Sequence, residues 1–314
     1  MSEPLLSVII PHYNGVQHLA VCFNALRRQT YPHLEIILVD NGSSDESVAY
    51  TRHNFPEVIV LELGQNFGLT GAINRAIAQS RGEVLVPLNN DTEVDPGWAQ
   101  ALVDRLAEFP AAGIVASKML LFAERNKIHS AGDGFGVNGI PINRGVWQID
   151  SGQFDADTYI FGGCGGAVAY RRSMLNDIGL FDEDLFMYLE DVDLNWRAQL
   201  AGYKAVFAPR AVVYHHLSAT GGGVLASYYT GRNTMFVLAK NLPGAIFRRH
   251  WPAIIGAQLK IAFDALHAWR GAAARARLRG QLAGLLGLPR WLAKRQRQVK
   301  RVDDAYLELL LTRT

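Results

Sequence analysis

Within the first 120 residues, short runs rich in Val, Ile and Leu alternate with longer stretches whose apolar residues recur at helical spacing. This alternation constrains the chain more than any other feature. Leu5–Ile10, Glu35–Val39, Val58–Leu61 and Val84–Leu88 read as buried strands, and Val16–Gln29, Asp45–Asn54 and Gly71–Ser80 read as the helices between them. Ser44-Asp45 and Asp95-Pro96 are predicted helix starts, a capping side chain in each case and a proline in the first turn of the second. Strand–helix alternation with short links predicts an α/β protein with a parallel, doubly wound sheet. In such sheets ligands bind beyond the C-terminal ends of the strands. The polar residues gather there, in His12-Tyr13-Asn14-Gly15, in Asp40-Asn41-Gly42-Ser43-Ser44-Asp45 and in Asn89-Asn90-Asp91.

From about Asn126 to Asp157 the pattern weakens and glycine becomes frequent, as expected for loops and short strands over a sheet edge. The glycine cluster Gly162-Gly163-Cys164-Gly165-Gly166 follows, then a helical stretch around Leu189–Leu200, a strand near Ala205–Phe207 and a helix from Leu225 to Lys240. A chain of 314 residues with 49% hydrophobic and 19% charged side chains has enough apolar material for a folded core. Its two cysteines, Cys22 and Cys164, lack metal-type spacing and make a disulfide framework improbable, which favours a reducing compartment. The start MSEPLLSVII lacks a basic n-region, and no stretch reaches the ~18 uninterrupted apolar residues of a spanning helix. The expectation is a cytoplasmic protein that does not cross the membrane.

Several groups carry chemistry. Asp91 follows a predicted strand and offers hard oxygen ligation suited to Mg²⁺ or Mn²⁺, although Asn89-Asn90-Asp91 also reads as a plain turn. Asp40 can accept the imide N–H of a uracil or thymine base, or cap a helix. Between Phe181 and Arg197 six acidic residues interrupt an apolar run. At helical spacing Glu190, Asp193 and Arg197 share a face, which predicts a solvated, salt-bridged surface and leaves Asp191 apart. His215 and His216 follow a strand-like Ala211–Tyr214 and suit either metal ligation or an interface. The glycine cluster can bring backbone N–H groups close to an acceptor or simply turn the chain. No Walker or Rossmann fingerprint occurs, so ATP hydrolysis and dinucleotide binding lack support.

The order of these segments resembles the family-2 glycosyltransferases, especially rhamnosyltransferase-like enzymes of bacterial cell-surface polysaccharide assembly. The matching elements are Ser7–Asn14, Val39–Asp45, Asn66–Asn74, Leu88–Thr92, the glycine cluster, Arg171-Arg172, Phe181-Asp182-Glu183 and Glu190–Leu194. His215 with Ser218-Ala219-Thr220, and Tyr228–Asn233, complete a likeness over residues 5–241. It implies a GT-A fold, Rossmann-like with a mostly parallel sheet and helices on both faces. Residues 1–241 would form the catalytic domain, with a nucleotide-sugar half of about 1–120 and an acceptor half of about 121–241. Carried over by position, Pro11, Tyr13, Asn14, Asp40, Asn66, Gly68, Asn74, Asn90 and Asp91 would bind the nucleotide sugar. Gly165, Gly166 and Glu190 would face the acceptor, Asp191 would be the catalytic base, and Asp91 with His215 would hold Mg²⁺ or Mn²⁺. His216 is the alternative ligand, and Asn89 stands where many relatives have Asp. The implied reaction is inverting transfer from a nucleoside-diphosphate sugar, dTDP-rhamnose or a UDP-sugar, to a lipid-linked or polysaccharide acceptor.

Residues 242–314 hold 14 of the 31 basic residues but only 4 of the 29 acidic ones, which places a boundary near Asn241-Leu242-Pro243-Gly244. This tail reads as a basic amphipathic helical segment. Its arginines and tryptophans suit an anionic membrane surface, peripheral on the inner face of the cytoplasmic membrane. The same apolar stripes also suit a hairpin packed on the catalytic domain or on a second copy of the chain. Nucleic acid is not an expected partner, because Trp251, Trp269 and Trp291 form no RNA-binding motif. A catalytically silent membrane- or nucleic-acid-binding module on the same scaffold is the alternative, and the joint presence of Asp40, Asp91, Asp191 and His215 speaks against it.

Overall fold

A computed structural model describes residues 3–217 and 223–313. The motif residues Ser218, Ala219 and Thr220 lie outside the described residues. The first half follows the predicted alternation: β1 (Leu6–His12), α1 (Val16–Arg27), β2 (Leu34–Asp40), α2 (Ser47–Asn54), β3 (Ile59–Glu62), α3 (Gly68–Gln79), β4 (Val84–Pro87), β5 (Thr92–Val94) and α4 (Trp98–Glu108). The second half holds β6 (Ala112–Leu121), β7 (Ile128–Ser130), β8 (Asp133–Phe135), β9 (Pro141–Asn143), β10 (Tyr159–Ile160), β11 (Val168–Arg171), α5 (Arg172–Ile178), α6 (Glu190–Ala201) and β12 (Lys204–His215). Helices α7 (Gly223–Asn241), α8 (Gly244–His267), α9 (Ala272–Leu286), α10 (Leu288–Arg295) and α11 (Asp304–Leu309) complete the chain.

The main sheet runs β10-β12-β6-β11-β4-β1-β2-β3. Strands β3, β2, β1 and β4 are parallel, β11 is antiparallel to both β4 and β6, and β12 is parallel to β6. The mostly parallel α/β architecture with C-terminal helices agrees with the expectation. Fully buried Val, Ile and Leu of β1, β2 and β4 form the centre, with Leu19, Phe23 and Leu26 of α1 on one face and Ile73, Ala76 and Ile77 of α3 on the other.

Three local expectations are corrected. The separate strand segments around Ala205–Phe207 and Ala211–Tyr214 belong to one strand, β12, with a register shift against β6 between Ala208 and Val212. Asp45 does cap a helix, but chiefly α1: its Oδ2 accepts from Gly15 N (2.8 Å) and Val16 N (3.1 Å). The helix after Asp95-Pro96 starts at Trp98, with Gly97 at its N-cap.

A fourth correction is the largest. Glu190, Asp193 and Arg197 are not a solvated face; all three are buried. The reason is that α6 is enclosed on every side. Trp196 meets Phe135 and Phe161 edge-on, with ring centroids 5.1 Å apart in each pair. Asp193 accepts from Arg197 Nε (2.9 Å), Lys240 Nζ (3.0 Å) and Asn241 Nδ2 (2.8 Å). Lys240 Nζ also donates to Asp182 (2.8 Å), and Lys294 Nζ of α10 donates to the other Asp182 oxygen (2.6 Å). Helices α9 and α10 both pack on α7, and α8 on α9.

Breaking a buried ion pair from one side typically costs about 3–5 kcal/mol, because the remaining charge keeps its desolvation penalty. Lys240→Met, which removes the ammonium that Asp193 and Asp182 share, is therefore expected to lower the unfolding free energy by about 3 kcal/mol, the low end of that range because Arg197 and Lys294 remain. Urea denaturation followed by circular dichroism measures it, and an unchanged midpoint and slope would show the cluster to be energetically idle.

Candidate active site

The loops after β1, β2 and β4 meet at one edge of the sheet, and hydrogen bonds fix their shapes. Both Asp40 oxygens accept from Ser43 N (3.2 Å each), so this buried carboxylate holds the turn after β2. Asn14 Oδ1 accepts from Ser44 N (2.9 Å), while Asn14 N donates to Ser43 Oγ (2.9 Å). Asn90 Nδ2 donates to His12 Nδ1 (2.7 Å), which makes His12 a donor at Nε2 towards Ser47 Oγ (2.7 Å). Burial lowers the His12 pKa against the pull of Asp45 and Asp40, favouring the neutral ring that this chain of bonds needs. Pro11 lies beside this chain in β1, and Tyr13, in the loop that follows, is exposed.

Asn66 Oδ1 accepts from Asn41 Nδ2 (3.0 Å) and Gly68 N (2.8 Å), and Asn41 Oδ1 accepts from Phe67 N (2.9 Å). Gly68 has φ +75°, and a Cβ there would stand 2.5 Å from the Phe186 ring. Asn74 is committed elsewhere. Its amide nitrogen donates to Phe181 O (2.9 Å) and Glu183 Oε1 (3.1 Å), and its oxygen accepts from Phe181 N (3.1 Å), tying α3 to the acidic segment.

Asp91 and His215 arrive from β5's approach and the end of β12, adjacent because β12 pairs with β5 at His215–Thr92. His215 Nε2 is 3.1 Å from Asp91 Oδ1 and 3.4 Å from Asn89 Nδ2. His216 points away and stacks on Phe122 at 3.5 Å, so His215 is the imidazole that faces Asp91. Carboxylate oxygen and imidazole nitrogen, both buried, suit Mn²⁺ or Mg²⁺. Behind this pair His129 Nδ1 lies 3.2 Å from His215 Nδ1. Burial and the neighbouring His215 push the His129 pKa down to about 4, so it is a neutral acceptor that leaves His215 Nε2 for a metal. Nothing in the motif pattern singled out His129.

Asp191 opens α6, where the helix N-terminus favours an anion. Its Oδ2 accepts from Gly165 N (2.7 Å) and its Oδ1 from Val192 N (2.7 Å). A Cβ on Gly165 would come within 3.0 Å of Asp191 Oδ2, and one on Gly166 within 2.7 Å of Met119. The glycine cluster thus admits Asp191 at contact distance, and Asn195 secures the cluster through Gly163 N (3.3 Å) and Gly163 O (3.0 Å). Asp133, on β8, was not foreseen. It is buried, and it offers a carboxylate oxygen that lies with Cys164 Sγ and an Asp191 oxygen inside a 4.8 Å circle.

Burial raises the pKa of Asp191 against its backbone donors, and burial with Asp191 nearby pushes Glu190 up to about 8 and Asp133 well above the carboxylate range. Glu190 Oε2 and Tyr170 Oη, both buried, have no hydrogen-bond partner among the described residues.

The loop before α6 is strained, with φ of +66°, +65° and +63° at Phe186, Tyr188 and Leu189. Asn233 Nδ2 of α7 holds it, with Leu185 O (3.1 Å), Met187 O (2.9 Å) and Tyr188 O (2.7 Å) all within reach, and Arg232 adds Asp184 O (2.7 Å).

A mostly parallel sheet with a carboxylate–imidazole pair and a buried acid at its loop edge defines a GT-A-type sugar transferase. The family description "Glycosyl transferase family 2" matches residues 7–179, more than half of the sequence, and the protein belongs to that family and is a glycosyltransferase. Among similar proteins, an N-acetylglucosaminyl-diphospho-decaprenol L-rhamnosyltransferase of Mycobacterium tuberculosis is 29% identical over 76% of this chain and 86% of its own. An O-antigen biosynthesis protein of Myxococcus xanthus is 31% identical over 69% of this chain but only 18% of its own length. Among solved structures, the mannosyltransferase PcManGT of Pyrobaculum calidifontis, in complex with GDP-Man and Mn²⁺, aligns with a TM-score of 0.57 at 18% identity, covering 98% of this chain and 84% of that one. GalNAc-T7, with UDP, GalNAc and Mn²⁺, aligns at 0.62 and 19% identity over 76% of this chain, which spans about half (48%) of that structure. These likenesses carry the fold.

Two outcomes follow for this site. Asn233→Ala should release the strained loop and lower kcat at least ~10-fold with donor affinity retained, since a misplaced catalytic group loses rate before binding; equal kcat in steady-state assays would refute the clamp. A base at Asp191 would work only unprotonated, and with its pKa raised kcat/KM should then fall on the acid side at a pH above the ordinary carboxylate range. A pH–rate profile still flat at pH 4 would exclude it.

Proposed function

We propose that the chain transfers one sugar from a nucleoside-diphosphate donor, dTDP-rhamnose in first place and a UDP-sugar in second, to a hydroxyl of a lipid-linked acceptor. The observation that carries this reading is the setting of Asp191. A half-buried carboxylate held by two backbone N–H groups, at a loop edge shared with a carboxylate–imidazole pair, suits a base that takes a proton from an incoming hydroxyl. That oxygen then bonds to the anomeric carbon as the bond to the diphosphate breaks from the opposite face, which inverts the centre. The proton ends on Asp191 and the nucleoside diphosphate leaves with the electron pair. Asp91 and His215 would hold Mg²⁺ or Mn²⁺, which when bound neutralises charge on the diphosphate. Asp40, Asn14, Asn90 and the loop held by Asn66 shape the nucleotide side, and Gly165, Gly166 and Glu190 the acceptor side. The likeness to the mycobacterial rhamnosyltransferase makes an N-acetylglucosaminyl-diphospho-prenol the first acceptor to try.

Asp191→Asn should lose about 10²–10⁴-fold in rate while still binding nucleotide. Product formation is followed by mass spectrometry with dTDP-rhamnose and UDP-sugars, and near-full turnover by the variant would remove Asp191 from the role of base. EDTA should abolish transfer, and Mn²⁺ or Mg²⁺ should restore it. Full activity of Asp91→Ala in chelator would end the metal reading.

The C-terminal helices support a peripheral site of action on the inner face of the cytoplasmic membrane. No helix among the described residues is long and apolar enough to cross a membrane. Along α8, however, Phe247, Trp251, Ile255, Leu259 and Phe263 are exposed at steps of four residues, with Leu266 beside them. Such spacing makes one slowly turning apolar stripe. Several tail cations are already matched, among them Arg249 with Glu308, Lys260 with Asp264 and Arg290 with Asp184. Arg248, Arg270, Arg279 and Arg297 are exposed with no carboxylate partner among the described residues. An apolar stripe with unmatched cations at its margin fits an anionic lipid surface. The intact protein should pellet with anionic but not neutral vesicles at low salt, and Trp251→Glu with Phe263→Glu should abolish this. Recovery of the wild type in the supernatant would rule the surface out.

A further inference from the structure

A cavity of about 590 Å³ opens on the side of the second half-sheet, walled by Pro141, Ile142, Val146 and Trp147 and carrying two polar side chains, His129 and Asn143. Its size is that of a small-molecule site. His129 is one contact and Asn143 two contacts away from the groups proposed to carry the chemistry. His129 meets His215, the imidazole facing Asp91, at 3.2 Å. Asn143 Nδ2 approaches Cys164 Sγ at 3.9 Å, and that sulfur lies within 4.8 Å of an Asp191 oxygen. The cavity therefore adjoins, through His129, the imidazole suited to hold a metal and, through Asn143 and Cys164, the carboxylate suited to take the proton.

Trp147 supplies the second observation. It is 60% exposed, so its indole adds little to the core. Its backbone is left-handed, at φ +65°, a conformation that costs a bulky residue about 1–3 kcal/mol. The turn is nonetheless fixed: Trp147 N donates to Ile128 O (2.8 Å), and Gly145 before it has φ +72°. Strain kept in place to present an uncovered aromatic ring marks a contact surface. A pyranose has one face of C–H groups, which suits the electron-rich face of an indole, and a rim of hydroxyls, which suits an amide and an imidazole.

We infer that this cavity is a sugar-ring subsite for the acceptor, in which a pyranose stacks on Trp147, is oriented by Asn143 and His129, and turns a hydroxyl towards Asp191. The assignment rests on the proposed reaction and deepens it by naming a carbohydrate ring, rather than the lipid part, as what the protein grips beside the base.

The test uses the full chain with dTDP-rhamnose and a short-chain N-acetylglucosaminyl-diphospho-prenol. Trp147→Ala should raise the acceptor KM about 10-fold, as expected for the loss of an aromatic contact, and Trp147→Phe should stay within about 3-fold of wild type. Donor KM, and donor hydrolysis without acceptor, should not change. An unchanged acceptor KM overturns the subsite. A rise in donor KM of equal size places the donor's sugar in the cavity and overturns it as well. Saturation-transfer NMR with methyl pyranosides of glucose, galactose and N-acetylglucosamine needs no turnover. Signal on the sugar C–H protons with wild type, lost in Trp147→Ala, supports the subsite even if no transfer occurs, and no signal with wild type overturns it. A failed subsite and a failed reaction are thus read separately.

Discussion

The active half of this protein depends on one buried carboxylate, Asp193. It has no solvent exposure, and water is replaced by a guanidinium, an ammonium and an amide from Arg197, Lys240 and Asn241. Burial alone would raise its pKa, but Lys240 and Arg197 outweigh burial and hold it down to about 2. The sign follows directly. A carboxylate held below its unfolded value stabilises the fold above the unfolded pKa and loses that contribution only as pH falls towards about 2. Two positions earlier, Asp191 is shifted the opposite way. One turn of helix therefore holds a permanently charged anchor and a carboxyl tuned upward to exchange a proton, the division of labour that differing environments impose on neighbouring acids.

Two of the three partners of Asp193, Lys240 and Asn241, come from the end of α7, which ties the start of α6 and Asp191 to that helix. The same helix supplies Asn233, whose amide nitrogen faces three carbonyls of a loop with several left-handed residues. Helices α9 and α10 pack on α7, and Lys294 of α10 reaches back to Asp182. The basic C-terminal segment is thus a brace for the catalytic turn on one side, while α8 keeps an apolar stripe on the other.

The strand-rich first half was legible because its signals are local. Runs of β-branched residues such as Ser7-Val8-Ile9-Ile10 make buried strands wherever they fall, and the loops after them collect the polar groups. What was not legible depends on partners far along the chain. Asp45 caps a helix that begins thirty residues earlier, so a reading that looks only ahead of it names the wrong helix. Glu190, Asp193 and Arg197 have the spacing of a wet surface, and only the company of Lys240, Asn241 and Gly165 makes that face an interior. A signal was present, since Val192, Leu194, Trp196, Ala198 and Leu200 put apolar groups around the whole helix, the mark of burial on all sides. His129 and Asp133 carried no such mark, because each acquires its meaning only from pairing between distant strands.

The glycine cluster places a sulfur atom, Cys164, beside the acids of the reaction centre, and the chain's other thiol, Cys22, lies in the core under α1. Burial pushes the Cys22 thiol up to about 12, and burial with the nearby carboxylates pushes Cys164 well above its ordinary value. Only the thiolate attacks oxidants and electrophiles at useful rates. The sulfur beside these carboxylates is therefore held as the thiol, its less reactive form.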